Sequence, residues 1–137
     1  MGEVLERGKR RSLPTRRSGY TQKARCGGQP IYIHTGEYED GTLGEVFLDC
    51  SRTGSSMRAM INALAISVSL GLQYGAPLES YVKVFKDFAF LPGGIVQGDS
   101  RFDEATSILD YVFRELEYTY LGKKDATAKE ECTSSVD

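Results

Sequence analysis

Tyr20-Thr21-Gln22-Lys23-Ala24-Arg25-Cys26, then Gly27-Gly28, then Pro30-Ile31-Tyr32-Ile33-His34-Thr35 is the stretch that decides the fold. Two short runs flank a pair of glycines, and a two-residue Gly-Gly connection is a strong hairpin signal because both turn residues need positive φ. Ile31 and Ile33 alternate with Tyr32 and His34, so one face of the second strand can be buried. Glu37 to Thr42 contains Asp40-Gly41, a second turn, and Gly44 to Cys50 then reads as a third strand with Val46 and Leu48 on one face and Phe47 on the other. A three-stranded antiparallel meander is expected.

Downstream the period changes from two to 3.6. Met57, Met60, Ile61, Leu64, Ala65, Val68 and Leu72 recur at three- and four-residue steps, which predicts a helix with one broad apolar face. Ser55 or Ser56 is the expected N-cap and Gly75 the expected stop. Pro77 opens a second helix with Leu78, Tyr81, Val82 and Phe85 as its buried stripe. Residues 91 to 99, rich in glycine, read as a loop. Ser100 and Asp103 have capping spacing for a third helix that carries Ile108, Leu109, Val112, Phe113, Leu116 and Tyr120 and stops at Gly122. Strands first and helices afterwards predict an α+β domain, three helices packed on one sheet. Residues 1 to 19 read as a basic flexible arm, 20 to 122 as the folded domain, and 123 to 137 as a polar tail.

Charge is unevenly distributed. Residues 1 to 25 hold eight Lys or Arg against Glu3 and Glu6, while the remainder of the 137-residue chain holds nine basic and seventeen acidic residues. A basic arm on an acidic body fits a polyanion partner, an acidic protein surface, or a solvated arm, and composition alone does not separate them. Arg10, Arg11, Arg16, Arg17 and Lys23 are the candidates for phosphate or polyanion contacts. Thr35-Gly36-Glu37-Tyr38-Glu39-Asp40-Gly41 places three carboxylates in seven residues, so Glu37, Glu39 and Asp40 are the candidates for a basic partner. The twelve-residue spacing of a calcium loop is missing there.

The sequence points away from several chemistries. Cys26, Cys50 and Cys132 are widely spaced and His34 is the only histidine, which leaves no zinc-finger pattern and predicts reduced thiols. His34 and Asn62 read as structural residues and no catalytic residue is assigned. Gly93-Gly94 and Gly98 lack the Gly-Lys-Ser/Thr ending of a phosphate loop, so this segment reads as an irregular connection where Gln97, Asp99 and Arg101 offer a contact surface. No run of about 18 apolar residues occurs and no apolar segment follows the basic start, so no membrane span is expected and a cytosolic location is.

A longer pattern runs through these elements. Leu13-Pro14-Thr15-Arg16-Arg17, Gly19-Tyr20-Thr21-Gln22-Lys23-Ala24, Gly27-Gly28, Thr35 to Gly41 and Gly44 to Phe47 follow in order. Leu70-Gly71-Leu72-Gln73-Tyr74-Gly75 and Ala105 to Leu116 continue it. Together they resemble the C-terminal region of cobalamin-dependent ribonucleotide reductases, the small domain named for a Thr-Ser-Cys-Pro-Asp motif, over roughly residues 8 to 122. That literal motif is absent, and the tail reads Cys132-Thr133-Ser134-Ser135.

The resemblance implies a role in deoxyribonucleotide synthesis. Complete family members precede this region with a barrel that binds cobalamin and substrate and holds the radical cysteine, and they often end in a cysteine-rich tail that re-reduces the active site. Neither the barrel nor a paired tail cysteine is found here, so the chain is not expected to be active alone. The expectation is a stand-alone domain, with no cofactor of its own, that binds or regulates a catalytic ribonucleotide reductase chain carrying adenosylcobalamin. A nucleotide- or nucleic-acid-binding regulatory module, and a fragment of a split reductase, are the alternatives.

Overall fold

Gly27 and Gly28 have φ of +59° and +84°, the left-handed pair that a tight hairpin demands. They join β1 (Thr21–Cys26) to β2 (Gln29–Glu37) in register from Thr21 opposite His34 to Cys26 opposite Gln29. The computed structural model describes residues 8–50, 54–90 and 92–122. A turn closed by the Gly41 N–H on the Tyr38 carbonyl and the Tyr38 N–H on the Thr42 carbonyl leads into β3 (Leu43–Asp49). A bulge at Gly36/Glu37 shifts the β2–β3 register there. The expected meander is present.

The sheet is larger than the sequence reading. Two further strands, β4 (Gly94–Gln97) and β5 (Glu104–Ala105), extend it on the β1 side to the order β3-β2-β1-β4-β5. Part of the stretch read as a loop is therefore a strand: Cys26 pairs with Val96, and the Gly27 N–H donates to the Ile95 carbonyl at 2.9 Å. Four residues are too few to carry a period, and backbone pairing with β1 and β5 defines the strand.

The first helix, α1 (Ser55–Gln73), begins after Gly54 with no side-chain cap, so neither Ser55 nor Ser56 caps it. It ends as expected at Gly75, with φ of +105°. The Ala76 N–H donates to the Gly71 carbonyl and the Gly75 N–H to the Leu72 carbonyl, the paired bonds of a Schellman stop. One side of α1 packs on β3 through Ile61, Ala65 and Val68, all buried. Met60, read as part of that stripe, is 70% exposed. By length and composition α1 is also long and apolar enough to cross a membrane, with Arg58 as its one charged residue.

Pro77 stands at the start of α2 (Leu78–Phe85), which buries Leu78 and Val82 and half-buries Tyr81 and Phe85. The third helix, α3 (Ile108–Leu116), starts later than the Ser100/Asp103 spacing suggests. Its cap is Ser107, whose hydroxyl accepts from the Asp110 N–H at 3.0 Å. A π-helical turn (Glu117–Leu121) continues it to Gly122. Ile31 and Ile33 on the inner sheet face and Ile108, Tyr111, Val112 and Leu116 on α3 form the centre of the core, each 0% exposed. Full burial of one such side chain contributes about 1.5–3 kcal/mol. The architecture is α+β, with helices on one face of an antiparallel sheet. The tail read for 123–137, with Cys132, and the first seven residues of the arm lie outside the described residues.

Cys26 and Cys50 are buried in this core. Burial pushes both thiols up to about 11, so near neutral pH they are protonated and inert. Against an ordinary thiol near 9, that is roughly a hundredfold less thiolate. Alkylation of the native chain at pH 7.5 is expected to leave both unmodified over a time that labels them fully in denaturant. Mass spectrometry after digestion checks this, and rapid native labelling would contradict the buried placement.

Candidate functional site

The acidic turn is built by Asp40. Its carboxylate accepts from the Thr42 hydroxyl at 2.7 Å and the Thr42 N–H at 3.0 Å, and these bonds, with Arg11 nearby, hold its pKa below the usual carboxylate range. The arm lies across this turn. Arg11 donates its N–H to the Gln73 carbonyl at 2.8 Å, and its own carbonyl accepts from the Tyr38 hydroxyl at 2.8 Å. The Arg11 guanidinium sits 3.8 Å over the Tyr38 ring and 3.8 Å from the Asp40 carboxylate. Arg10 donates from Nε to Gln73 Oε1 at 2.8 Å.

Further along, the Glu37 N–H donates to the Ser18 carbonyl, and Arg17 pairs with Glu45 at 2.9 Å. Arg16 and Arg17 share a small pocket of about 140 Å³ with Glu37 and Glu39. Arg16 and Glu39 are exposed. Glu37 also accepts from the Tyr120 hydroxyl at 2.6 Å, and burial followed by that carboxylate pushes the Tyr120 pKa up. A cleft of about 680 Å³ opens where the arm, the turn, the end of α1 and the start of α2 converge, with Lys9, Arg11, Asp40, Tyr74 and Tyr120 among its lining.

The residues singled out for phosphate and those singled out for a basic partner thus stand side by side. Four of the five cations, Arg10, Arg11, Arg16 and Arg17, lie with Glu37, Glu39 and Asp40 on one mixed-charge surface. Lys23 does not join them. It projects from β1 on the opposite sheet face, its Nζ 5.6 Å over the Tyr32 ring, in a row with Asp49 on β3. His34 shares that outer face, its Nδ1 2.9 Å from the Thr21 hydroxyl and its ring parallel to Tyr32.

Exposed ion pairs contribute only about 0–1 kcal/mol each. The mixed-charge surface can therefore exchange internal partners for external ones at little cost, which suits reversible binding.

The sequence reading missed a second, buried polar centre. Arg101 grips Asp99 with two bonds of 2.8 Å and reaches Glu115 at 3.1 Å. The Tyr111 hydroxyl donates to Asp99 at 2.8 Å and the Tyr20 hydroxyl to Glu115 at 2.7 Å. Asp99 and Glu115 are 6% and 1% exposed, so Asp99 is core rather than contact surface. Burial pushes the Asp99 carboxyl up, but the bonds from Arg101 and Tyr111 outweigh it and the net shift is downward. Tyr20 is engaged here and packs against the Tyr120 ring. No local motif announces the centre, since its members lie just before β1, on the β4–β5 connection and on α3.

Comparison with known proteins follows the same outline. The TSCPD domain family matches residues 6–120. The vitamin B12-dependent ribonucleotide reductase of Agrobacterium fabrum is 56% identical over 116 residues, which is 85% of this chain and 9% of that protein. The protein of the same name from Bradyrhizobium diazoefficiens is 51% identical over 128 residues, 93% of this chain and 10% of that protein. That from Streptomyces coelicolor is 44% identical over 112 residues, 82% and 12% respectively. The chain thus spans about a tenth of the length of the curated relatives it matches. No solved structure matches it. With the family matching from the arm to the end of the last helical turn, this chain belongs to the TSCPD domain family.

Proposed function

We propose that this chain serves deoxyribonucleotide synthesis as an accessory domain of a B12-dependent ribonucleotide reductase, binding the catalytic chain and positioning or regulating it. The observation that carries this reading is the identity of 56% over 85% of the chain to a region making up only 9% of a reductase. In this reading Arg10, Arg11, Arg16, Arg17 and Lys23 meet phosphate or acidic groups of the partner, and Glu37, Glu39 and Asp40 meet basic ones. The Arg11–Asp40 pair, and the pocket that Arg16 and Arg17 share with Glu37 and Glu39, support a surface that opens toward a partner and closes on itself without one.

Adenosylcobalamin and the radical chemistry belong to the catalytic chain here. Among the described residues, no group of three His, Cys, Asp or Glu side chains is disposed to hold a metal ion. In this reading the chain contributes binding.

A reductase truncated before its own copy of this region provides the test. Turnover of a ribonucleoside diphosphate is measured with and without the added chain. Saturable addition is expected to change turnover by about fivefold or more, the lower end of typical coupling between sites. Unchanged turnover with no binding, the chain being folded, would remove the reading.

A second reading, a nucleotide- or nucleic-acid-binding module, is favoured by the outer sheet face. There Lys23 and Arg25 stand on the same side of the sheet as Tyr32, His34 and the half-exposed Phe47. Steeply salt-dependent binding of single-stranded DNA that weakens in Lys23→Ala and Tyr32→Ala would support it over the accessory role.

A further inference from the structure

From Ala59 to Leu78 the chain contains no charged residue. Most of that stretch is α1, whose inner side is filled by Ile61, Ala65 and Val68. A helix with water on its other side ordinarily places charged and polar residues there. The neighbouring α2 does so with Glu79, Ser80 and Lys83, all exposed. The outer side of α1 and its C-cap instead carry Met60, Ile66, Leu70 and Tyr74, which are 70%, 52%, 39% and 51% exposed, with the uncharged Asn62 and Ser67 exposed among them. Ala59 and Ala63 are exposed between them. Of the eight large apolar side chains that stand exposed among the described residues, three are on this one helix and a fourth, Tyr74, is its C-cap.

We infer that the outward face of α1 is the surface by which this chain seats in an apolar groove of the catalytic reductase chain. The inference rests on the accessory reading above and names the surface that reading requires. Three observations select the occupant. From Ala59 onward the face has no Lys or Arg, and Arg58 before it is paired with Asp49, so it does not attract a polyanion and nucleic acid is a poor fit. Nineteen residues make a ridge about 28 Å long and about 10 Å wide, roughly 300 Å², against roughly 800 Å² per partner in a stable interface. Two convex copies meeting ridge to ridge fall well short of that, whereas a groove that wraps both flanks of the helix buries more. The relatives carry this region on a chain about ten times longer, so in them a large body is joined to this domain. The face also runs to Tyr74, which lines the cleft beneath Arg11 and Asp40, so the apolar ridge and the mixed-charge surface are continuous. An apolar centre with a charged rim is the usual anatomy of a binding surface.

The test titrates the labelled full-length chain with a catalytic reductase chain lacking its own copy of the region. Ile66→Glu, Leu70→Glu and the milder Leu70→Gln are compared with Ile95→Glu, at a 68% exposed position on β4. Circular dichroism and thermal melting report whether each variant is folded. Binding is expected to weaken about tenfold or more in each folded α1 variant and to stay at the wild-type level in Ile95→Glu. Wild-type binding that persists unchanged in the α1 variants would overturn the surface and leave the accessory role standing. A folded wild-type chain that does not bind would remove both. Sedimentation showing a wild-type dimer that Leu70→Glu dissociates, with reductase binding unaffected, would assign the face to a second copy and overturn the inference. So would flotation of the wild-type chain, but not Leu70→Glu, with neutral lipid vesicles, if reductase binding is unaffected.

Discussion

Arg101→Met is expected to destabilise the fold by about 3–5 kcal/mol, the cost of stranding buried carboxylates without their cation. Arg101 joins Asp99 and Glu115, and through them the hydroxyls of Tyr111 and Tyr20, so one side chain holds α3, β1 and the β4–β5 connection together. Methionine keeps much of the stem's packing and removes the charge, which separates electrostatics from volume. The loss is read as a shift in the denaturant midpoint. A change below about 1 kcal/mol, the range of an exposed pair, would contradict the buried network.

The same network makes an acid prediction. The folded-state pKa of Asp99 lies below its unfolded value. Its stabilising contribution is therefore fully present above the unfolded carboxylate pKa, near 3.9, and is lost as pH falls through the folded value. Asp99→Asn should lose stability near neutral pH and show a shallower decline below about pH 4.

The second large effect is expected at Asp110. It sits 1% exposed in the first turn of α3 and accepts from the Asp87 N–H at 2.6 Å, the Thr106 N–H at 2.8 Å and Arg114 Nε at 2.7 Å. Asp87 has φ of +71°, a left-handed conformation uncommon outside glycine, and the bond from its N–H to Asp110 helps hold it there. Arg114 closes the arrangement by also pairing with the Asp87 carboxylate. Asp110→Ala removes an acceptor from all three donors and leaves Arg114, nearly buried, without one of its carboxylates. A cost of about 3–5 kcal/mol is expected. Asp110→Asn retains one carbonyl oxygen and should cost about 1–3 kcal/mol. Equal, small effects for both would show that the end of α2 is held by packing alone.

Much of this fold was legible because its decisive elements are local. Gly27-Gly28 specifies a hairpin without reference to the rest of the chain, and Gly75 stops α1 through bonds to residues three and five positions back. The missing parts depend on distant partners. β4 is a strand because Cys26, seventy residues earlier in sequence, pairs with Val96. Arg101 is half-buried because Glu115 and Gln22 converge on it. The inner side of α1 was blurred for a different reason. An apolar helix face is read as core, and when both sides are apolar the period no longer says which one meets the sheet, so Met60 was placed inward. At the candidate surface the residue types were legible from charge, while their mutual pairing across arm and turn, Arg11 with Asp40 and Arg17 with Glu45, required the fold.

That pairing ties the structure to the proposed role. The arm is held by Tyr38 and Gln73 through backbone and side-chain bonds, yet its guanidinium contacts to Asp40 and Glu45 are at or near the surface. A partner offering its own charges competes with weak internal pairs, while the apolar outer face of α1 provides area for stable contact.

The most direct measurement is the affinity of the full-length chain for a B12-dependent reductase truncated before its own copy of this region, by titration at physiological salt. The account predicts saturable one-to-one binding at micromolar concentration or tighter, about −8 kcal/mol or more favourable. A folded chain that shows no binding up to the millimolar range would contradict it.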